Sequence, residues 1–495
     1  MPKKQKNKQG CFRRNNLLFL AVLIIIGLFY RFYGLDANHA FWTDEEQVAI
    51  FVRAIIERGR PVLVNGYSSG VYQWLQYWLS AISAKIFGLN EFGLRFPSVI
   101  FGILTIGAVY LVGKKLFNQK VGLVAAILTT FLKIEILWSR QARPYQALQF
   151  FYLLSAYFLY RLAKEERFNW HYFIGFLSVA VFASLFHGLG PVVFLMGFLY
   201  LFFYRPAWFK KQWLVLGFMV TLVFLYFLRA PIVSNLSQIG SVNNLFYYRV
   251  FLWYNYPLLV FLAVVGFLSQ IFQKRKEWQV LFLFLFIQGV IVSFILRQPF
   301  VRYFYIVFPF LVLFSALGLI KISRIFPKKH RWLFLFIFLF FIVVLGSKFT
   351  WLPRSVYSLN EDMQEIPEVD YKQIYSFIEK KLTENPEAVY VSNWNDHPIW
   401  YLGEGELDYL LRKRTTTPFD RDPFSGAVYL KDVEEFRSLM ADESQGLVLL
   451  ESWDDQVPEE ARKFIRQNLN KELEVDRLYP TQPRYWPVEI YSWGI

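Results

Sequence analysis

The chain has little cysteine and little charge. Cys11 is the only cysteine among 495 residues, and a single thiol cannot build an intrachain disulfide framework. Charged residues make up 18% of the chain, whereas soluble domains carry about 25%. The 54 Phe, 30 Tyr and 16 Trp exclude a disordered or collagen-like chain, and a soluble core could not hide them all. A multi-span membrane protein remains.

Acidic residues are scarce in one part of the chain only. Residues 1–350 carry 37 Lys and Arg against 10 Asp and Glu, whereas residues 351–495, here called the tail, carry 16 against 28. The basic part is also the apolar part, so its positive charge is best explained by a lipid bilayer. The net charge of +15 therefore does not indicate a nucleic-acid partner, and we expect none.

Apolar runs long enough to cross a bilayer, roughly 17–25 residues, recur between residues 17 and 350. They predict about eleven transmembrane helices. The predicted spans are Leu17–Phe32, Phe96–Leu116, Val121–Trp138, Tyr145–Leu162, Tyr172–His187, Pro191–Tyr204, Trp213–Leu228, Pro257–Phe272, Trp278–Leu296, Tyr303–Ile320 and Trp332–Thr350.

Lys and Arg are concentrated on alternate loops, with 23 on one side and six on the opposite short loops. Because positive loops stay in the cytoplasm, this predicts a multi-pass protein of the plasma (inner) membrane. Residues 1–16 form a basic cytoplasmic N-terminus, residues 17–350 form the membrane domain, and residues 33–95 are its first outer loop. An odd number of spans places the tail outside the cell.

The tail is predicted to be a small extracytoplasmic α/β domain of roughly 130 residues. Four short β-like runs alternate with two amphipathic helical stretches. The runs are Ala388–Ser392, Ala427–Leu430, Gly446–Glu451 and Val488–Trp493, and the helical stretches are Tyr371–Leu382 and Pro458–Leu469. The fold class is thus a polytopic α-helical membrane protein with a small C-terminal α/β domain.

The first outer loop contains three consecutive acids, Asp44, Glu45 and Glu46. Thr43 and Glu46 have the spacing of a capping box, and the apolar residues that follow predict a helix lying with its apolar side on the membrane. A carboxylate fixed there could act as a general base or hold a cation. The alternative is structural, because the first turn of any helix favours acids. Trp42 and its aromatic neighbours suit a belt at the membrane interface.

The order of several short motifs between residues 17 and 320 resembles one known family. The motifs are Phe41-Trp42-Thr43-Asp44-Glu45, Tyr77-Trp78, Arg95-Phe96-Pro97-Ser98, Ala142-Arg143-Pro144-Tyr145 and Arg302-Tyr303. They resemble the polytopic GT-C glycosyltransferases, which include the protein O-mannosyltransferases and the lipid A aminoarabinose transferases. The resemblance implies transfer of a sugar, with inversion, from a polyprenyl-phosphate donor to a glycan, lipid or protein acceptor outside the membrane.

The resemblance also implies roles for individual residues. Asp44 matches the essential carboxylate of the family, and Glu45 is its common neighbour. Substrate-binding residues would be Arg95, Arg143, Tyr145, His187, Arg302 and Tyr303, the arginines binding the leaving phosphate. The structural alternative stays open for each arginine, since arginines at span ends reach lipid headgroups, and for a lone His.

The sequence departs from the family pattern in the predicted second outer loop, around residues 139–143. Gln141 stands where many relatives carry an acidic residue, so a two-carboxylate metal site is doubtful. No cofactor is assigned, and a divalent cation held with the help of Glu45 or Glu135 remains the alternative.

Two other classes of protein would share the apolar spans. A transporter or lipid flippase should carry charged or broken helices at mid-membrane, whereas ionisable residues inside the predicted spans are few here. A membrane anchor with a sensing tail would need fewer spans. The acids on the first outer loop therefore favour an enzyme acting at the membrane surface.

Overall fold

The computed structural model describes residues 3–37, 40–69, 73–208, 242–274, 276–363, 368–413, 420–476 and 487–495. The predicted span Trp213–Leu228 lies outside these ranges.

Fifteen helices are described before the tail. Asn side chains begin three of them: Asn90, Asn118 and Asn169 each accept a hydrogen bond from a backbone N–H of the first turn, as N-caps do. The helices are α1 Lys3–Phe32, α2 Thr43–Arg58, α3 Trp74–Phe87, α4 Glu91–Leu116, α5 Gln119–Phe131, α6 Lys133–Ser139, α7 Tyr145–Lys164, α8 Trp170–Phe186, α9 Val192–Tyr204, α10 Leu245–Asn255, α11 Pro257–Phe272, α12 Gln279–Phe294, α13 Val301–Tyr305, α14 Phe308–Ile322 and α15 Arg331–Leu345.

Every predicted span within the described ranges is helical over most of its length. Two segments, Glu91–Leu116 and Phe308–Ile325, are each long and apolar enough to cross a membrane, and α10 and α11 add a third if the pair, bent by 100°, counts as one span. The count of eleven spans and their orientation therefore remain predictions. The predicted span Val121–Trp138 is broken at Leu132, which has an extended backbone and pairs with Phe349.

Close helix packing in the membrane part depends on glycine. Gly266 of α11 and Gly318 of α14 face each other, and a Cβ on Gly318 would collide with the carbonyl of Leu262. Small residues allow two helix backbones to approach in this way. Around this contact the buried core is made of Leu, Val, Ile and aromatic side chains.

The tail contains one six-stranded sheet in the order β3-β2-β1-β4-β6-β5. Strands β1 to β4 are parallel, and β6 and β5 are antiparallel to their neighbours. The strands are β1 Val389–Ser392, β2 Tyr409–Leu411, β3 Val428–Leu430, β4 Gly446–Glu451, β5 Asn470–Val475 and β6 Val488–Trp493, and the helices are α16 Tyr371–Glu384, α17 Asp396–Tyr401, α18 Val433–Asp442 and α19 Glu459–Asn468.

The strand order reverses between β1 and β4. The chain passes from β1 to β2 and β3 on one side, and then returns to place β4 on the other side of β1. At the carboxyl ends of these two strands Asn393 accepts a hydrogen bond from the N–H of Glu451 at 2.8 Å. The resulting crevice, formed by Asn393, His397 and Glu451, lies against the first outer loop, where α17 packs on α2.

Helix α2 differs from its prediction in two respects. Its N-cap is Trp42, which provides no side-chain hydrogen bond, so the predicted capping box is wrong because Glu46 contacts His397 of the tail instead. The apolar side of α2 was expected to lie on lipid, but Val48, Phe51 and neighbouring residues are buried against protein, including α3 and α17. The helix is therefore enclosed between the membrane part and the tail.

Candidate active site

The first turn of α2 carries the three consecutive acids. Successive residues of an α-helix point about 100° apart around its axis, so the three side chains face three different parts of the molecule. Asp44 faces two arginines, Glu45 faces α4, and Glu46 faces the tail.

Asp44 forms ion pairs with arginines from two distant segments. Its Oδ2 atom lies 2.6 Å from Arg302 Nη1 and 3.2 Å from Arg143 Nη2, while Arg143 Nη1 donates to the Asp44 carbonyl oxygen at 2.5 Å. Arg143 lies in the turn before α7, and Arg302 belongs to the short helix α13. The Asp44 side chain is 18% exposed and those of Arg143 and Arg302 are 4% and 10% exposed. The pairs thus sit in a nearly closed site with one partly accessible carboxylate.

Aromatic rings surround the two guanidinium groups. Arg302 lies 5.6 Å from the Trp42 ring, 5.9 Å from Tyr145, 4.0 Å from Phe300 and 5.6 Å from Tyr303. Arg143 also lies 5.5 Å from the Tyr145 ring. Such cation–π contacts stabilise a cation that has lost its water.

His187 joins this group through its ring. The ring stands 5.2 Å from Tyr145 and 6.3 Å from Tyr303, and Nδ1 accepts a hydrogen bond from the N–H of Leu189 at 3.0 Å. The structure therefore brings together six of the residues singled out from the sequence. They are Asp44, Arg143, Tyr145, His187, Arg302 and Tyr303.

Glu45 and Arg95, also singled out from the sequence, pair with each other. Arg95 donates from Nε and Nη2 to the two Glu45 oxygens at 2.9 and 2.8 Å, and the N–H of Ala142 donates to Glu45 at 2.7 Å. Both side chains are completely buried. The pair ties α2 to α4 and to the second outer loop, a contact that favours a structural role for both residues.

Two residues near Asp44 were not predicted as site residues. Trp42 was attributed to an interfacial belt, but it is 5% exposed and its indole N–H donates to Gln141 Oε1 at 3.0 Å. Phe300 lies directly under the Arg302 guanidinium. Trp42 belongs to the motif that contains Asp44, whereas the signal for Phe300 was only its position two residues before Arg302.

A network of buried polar side chains from neighbouring helices contacts α13. Tyr305 donates its hydroxyl to Glu135 at 3.0 Å, and Gln149 donates to Glu135 at 3.1 Å and to the Tyr305 carbonyl at 3.0 Å. Gln288 donates to the Tyr303 carbonyl at 2.8 Å. These contacts fix the part of α13 that follows Arg302.

The residues around Asp44 do not fit a divalent cation. Two arginines contact its carboxylate, Glu45 is paired with Arg95, and Glu135 is bonded to Tyr305 and Gln149. Within the described ranges, no three His, Cys, Asp or Glu side chains form a group suited to a metal ion. The second carboxylate of a cation site is therefore not supplied by Glu45 or Glu135 in this arrangement.

Comparison of the sequence with known proteins gives partial matches. The model of the dolichyl-phosphate-mannose-protein mannosyltransferase family matches residues 74–228. An uncharacterised protein of Aquifex aeolicus (strain VF5) is 31% identical over 192 residues, which are 38% of this chain and 37% of that protein. The undecaprenyl phosphate-alpha-4-amino-4-deoxy-L-arabinose arabinosyl transferase of Wigglesworthia glossinidia brevipalpis is 26% identical over 112 residues, 22% of this chain and 19% of that protein. The chain thus spans well under half the length of either relative.

Comparison of the structure covers nearly the whole chain. ArnT of Cupriavidus metallidurans bound to undecaprenyl phosphate superposes with a TM-score of 0.58 at 14% identity, over 96% of this chain and 97% of that one. The oligosaccharyltransferase AglB of Archaeoglobus fulgidus, in complex with an inhibitory peptide and a dolichol-phosphate, gives 0.51 at 10% identity, over 88% and 69%. The chain therefore has the GT-C fold of these glycosyltransferases, and the resemblance predicted from its sequence is confirmed.

Proposed function

We propose that this protein is a membrane glycosyltransferase that moves a sugar from a polyprenyl-phosphate donor to an acceptor on the outer face of the membrane. The observation that carries the proposal is the pairing of Asp44 with Arg143 and Arg302 inside a ring of aromatic side chains. The undecaprenyl phosphate and dolichol-phosphate bound to two proteins of the same fold support the class of donor.

The reaction assigns different tasks to the two signs of charge. The acceptor hydroxyl attacks the anomeric carbon from the face opposite the phosphate, so a glycosidic bond forms as the bond to the phosphate oxygen breaks, with inversion. Asp44 accepts the proton of the hydroxyl. Arg143 and Arg302 stabilise the negative charge that develops on the leaving phosphate.

The ion pairs suggest an order for these events. Both arginines pair with Asp44 in the structure. A phosphate offers more oxygens for the planar, multidentate binding of guanidinium groups, so the donor would draw the arginines away from Asp44. The carboxylate would then be able to receive the acceptor hydroxyl. Donor binding thereby prepares the base, and Tyr145, His187 and Tyr303 line the same space.

The proposed function requires the site to face the outside. The distribution of Lys and Arg supports this orientation, with the N-terminus in the cytoplasm and the first outer loop and tail outside. The spans, the domain boundaries and the plasma-membrane location belong to the same proposal. Donor and membrane lipids would be its partners, together with a glycan, lipid or protein acceptor.

The alternative is a transporter or lipid flippase. A paired carboxylate and two arginines could also bind a phosphate headgroup in transit, but transit needs such groups along a path through the membrane. Here they lie on the first two outer loops and at the start of α13, before the predicted span. The position of the charges favours chemistry at the surface.

The test is transfer by the purified protein in lipid nanodiscs supplied with polyprenyl-phosphate sugars and with the acceptor that mass spectrometry identifies, measured as release of free polyprenyl phosphate. Mass spectrometry of surface glycans and glycolipids from cells with and without the protein identifies the acceptor. The Asp44→Asn variant should release polyprenyl phosphate at least about 100-fold more slowly, whereas Glu57→Gln, an exposed neutralisation on the same helix, should match the wild type. Full activity of Asp44→Asn would refute the assignment of the base. No release in nanodiscs, together with surface glycans and glycolipids that are the same with and without the protein, would refute the function.

A further inference from the structure

Glu46, the third acid of α2, contacts the tail. Its Oε2 atom lies against His397 Nδ1, and His397 Nε2 lies 3.2 Å from Glu451 Oε1. All three side chains are completely buried, with 0% exposure. A carboxylate of the first outer loop, an imidazole and a carboxylate of the tail thus form one closed row.

The row ends in the crevice where the strand order of the tail reverses. Glu451 is the last residue of β4, and His397 belongs to α17, which follows β1. In open α/β sheets this crevice is where ligands bind. Here the occupant is Glu46 of the same chain, so the position a ligand would take is filled by the first turn of α2.

The crevice is built to hold this row. The hydroxyl of Tyr371 and the indole N–H of Trp453 both donate to Glu451 Oε2, and the Tyr371 ring stacks on His397 at 3.9 Å. Burial alone would lower the pKa of His397, but Glu46 and Glu451 outweigh it and raise that pKa to about 10. A cationic imidazole between two carboxylates compensates charges that could not be buried singly.

The first turn of α2 depends on such outside contacts. Its N-cap, Trp42, accepts backbone hydrogen bonds from Glu45 and Glu46 but supplies no side-chain hydrogen bond, so the side chains of the three acids add the contacts that hold the turn to the rest of the protein. Glu46 and Asp44 are two residues apart in one turn. A shift of the Glu46 contact would therefore move the Asp44 carboxylate as well.

We propose that His397 is a positioning residue: by binding Glu46 it fixes the first turn of α2, and the tail acts as a clamp on the helix that carries Asp44. This inference rests on the proposed function for its catalytic consequence only. On this inference the crevice of the tail holds Glu46 of the same chain and not a separate binding partner.

A second contact between α2 and the tail supplies the control. At the far end of the helix Arg58 lies 2.5 Å from Glu404 of the tail. Glu404→Gln removes a tail carboxylate that contacts α2 but leaves the first turn of α2 untouched. It therefore controls for a general weakening of the packing of the tail on α2. Glu46→Gln and His397→Gln both break the proposed clamp. Glu46→Gln keeps the size of the side chain, so it tests the clamp even if His397→Gln fails to fold.

The experiment combines hydrogen exchange with kinetics on the full-length protein in nanodiscs. We expect peptides covering residues 42–52 to exchange about five-fold faster in both clamp variants, because a local opening costs less there. We expect kcat for release of polyprenyl phosphate to fall about ten-fold or more, with KM within two-fold, because small displacements of a reacting group are costly. The double variant should be no slower than the worse single one, since both break one contact. Glu404→Gln should leave exchange and kcat within about two-fold of the wild type.

The outcomes separate this inference from the function on which it rests. Unchanged exchange in both clamp variants would overturn it, as would equal effects of Glu404→Gln. Faster exchange with unchanged kcat would overturn the catalytic consequence. A wild type without any transfer would refute the proposed function, while the exchange measurement would still decide whether His397 holds the helix.

Discussion

Replacing Asp44 by Asn separates donor binding from transfer. The variant keeps the size of the side chain but removes the charge that Arg143 and Arg302 neutralise at 3.2 and 2.6 Å. At the effective dielectric constant suited to partly exposed pairs, two opposite charges about 4 Å apart attract by at most about 4 kcal/mol. Solvent at the partly exposed carboxylate and the lost side-chain freedom reduce that figure to about 1–2 kcal/mol for the two pairs together.

This energy predicts two opposite effects of the Asp44→Asn variant. A phosphate no longer competes with the carboxylate for the arginines, so polyprenyl phosphate should bind about ten-fold more tightly, which corresponds to about 1.4 kcal/mol. The rate of transfer should fall by a factor of about 10² to 10⁴, the usual contribution of a general base.

The assay uses purified protein in nanodiscs. Binding of polyprenyl phosphate is followed by the fluorescence of nearby tryptophan, and transfer by release of the lipid from a polyprenyl-phosphate sugar. Glu57→Gln controls for the loss of one negative charge on the same helix. Weaker lipid binding by Asp44→Asn would refute the proposed exchange of partners, and an undiminished transfer rate would refute the assignment of Asp44 as the base.

Four further predictions follow from the site and the tail. Arg302→Ala should weaken donor binding more than acceptor binding, measured as separate KM values, and equal changes would indicate a structural arginine. Tyr305→Phe removes a hydroxyl donor to Glu135 and should lower the unfolding free energy by about 1–3 kcal/mol, detectable as a lower unfolding temperature; an unchanged temperature would contradict this. A chelator should change transfer less than two-fold, because two arginines adjoin Asp44, and strong inhibition would reverse that inference. The free energy of unfolding should fall as the pH rises from 7 to 10. The pKa of His397, raised to about 10, gives a stabilisation that is complete below pH 6.5 and is lost above pH 10. Burial raises the pKa of Asp396 to about 8, which also makes stability fall as the pH rises toward 8. His397→Gln should flatten the upper part of that curve, and an equal slope would contradict it.

The sequence predicted elements whose signal is local. Gly446–Glu451 and Val488–Trp493 are strands with the predicted bounds, because each is a compact apolar run. Strand β2 is only three residues long and lies between the charged residues Asp408 and Arg412, and β5 carries the charged residues Lys471, Glu472 and Glu474 at the edge of the sheet, so neither was distinguished from a loop. The short length and the charged residues of these strands limited their prediction from the sequence.

Six of the residues predicted for the site lie together in the fold, but their pairings were not predicted. Asp44, Arg143 and Arg302 were selected from three separate outer segments through family motifs, and the fold brings them into contact. The pairing of Glu45 with Arg95 and of Glu46 with His397 had no signal, because the partners are far apart in the chain and each helix face is compatible with several neighbours. Only the three-dimensional arrangement shows that the adjacent acids contact different parts of the molecule.

The three acids of α2 also constrain how the segment can change. Because each occupies a fixed angle on the helix, deleting or inserting one residue between Trp42 and Val48 would rotate the whole set by about 100°. Asp44, Glu45 and Glu46 would then each face a different neighbour. The ion pairs of Asp44, the pair of Glu45 with Arg95 and the contact of Glu46 with His397 would therefore be lost together. Substitutions in this turn can be repaired one at a time, whereas changes in its length cannot, and we expect related chains to keep its spacing even where its residues differ.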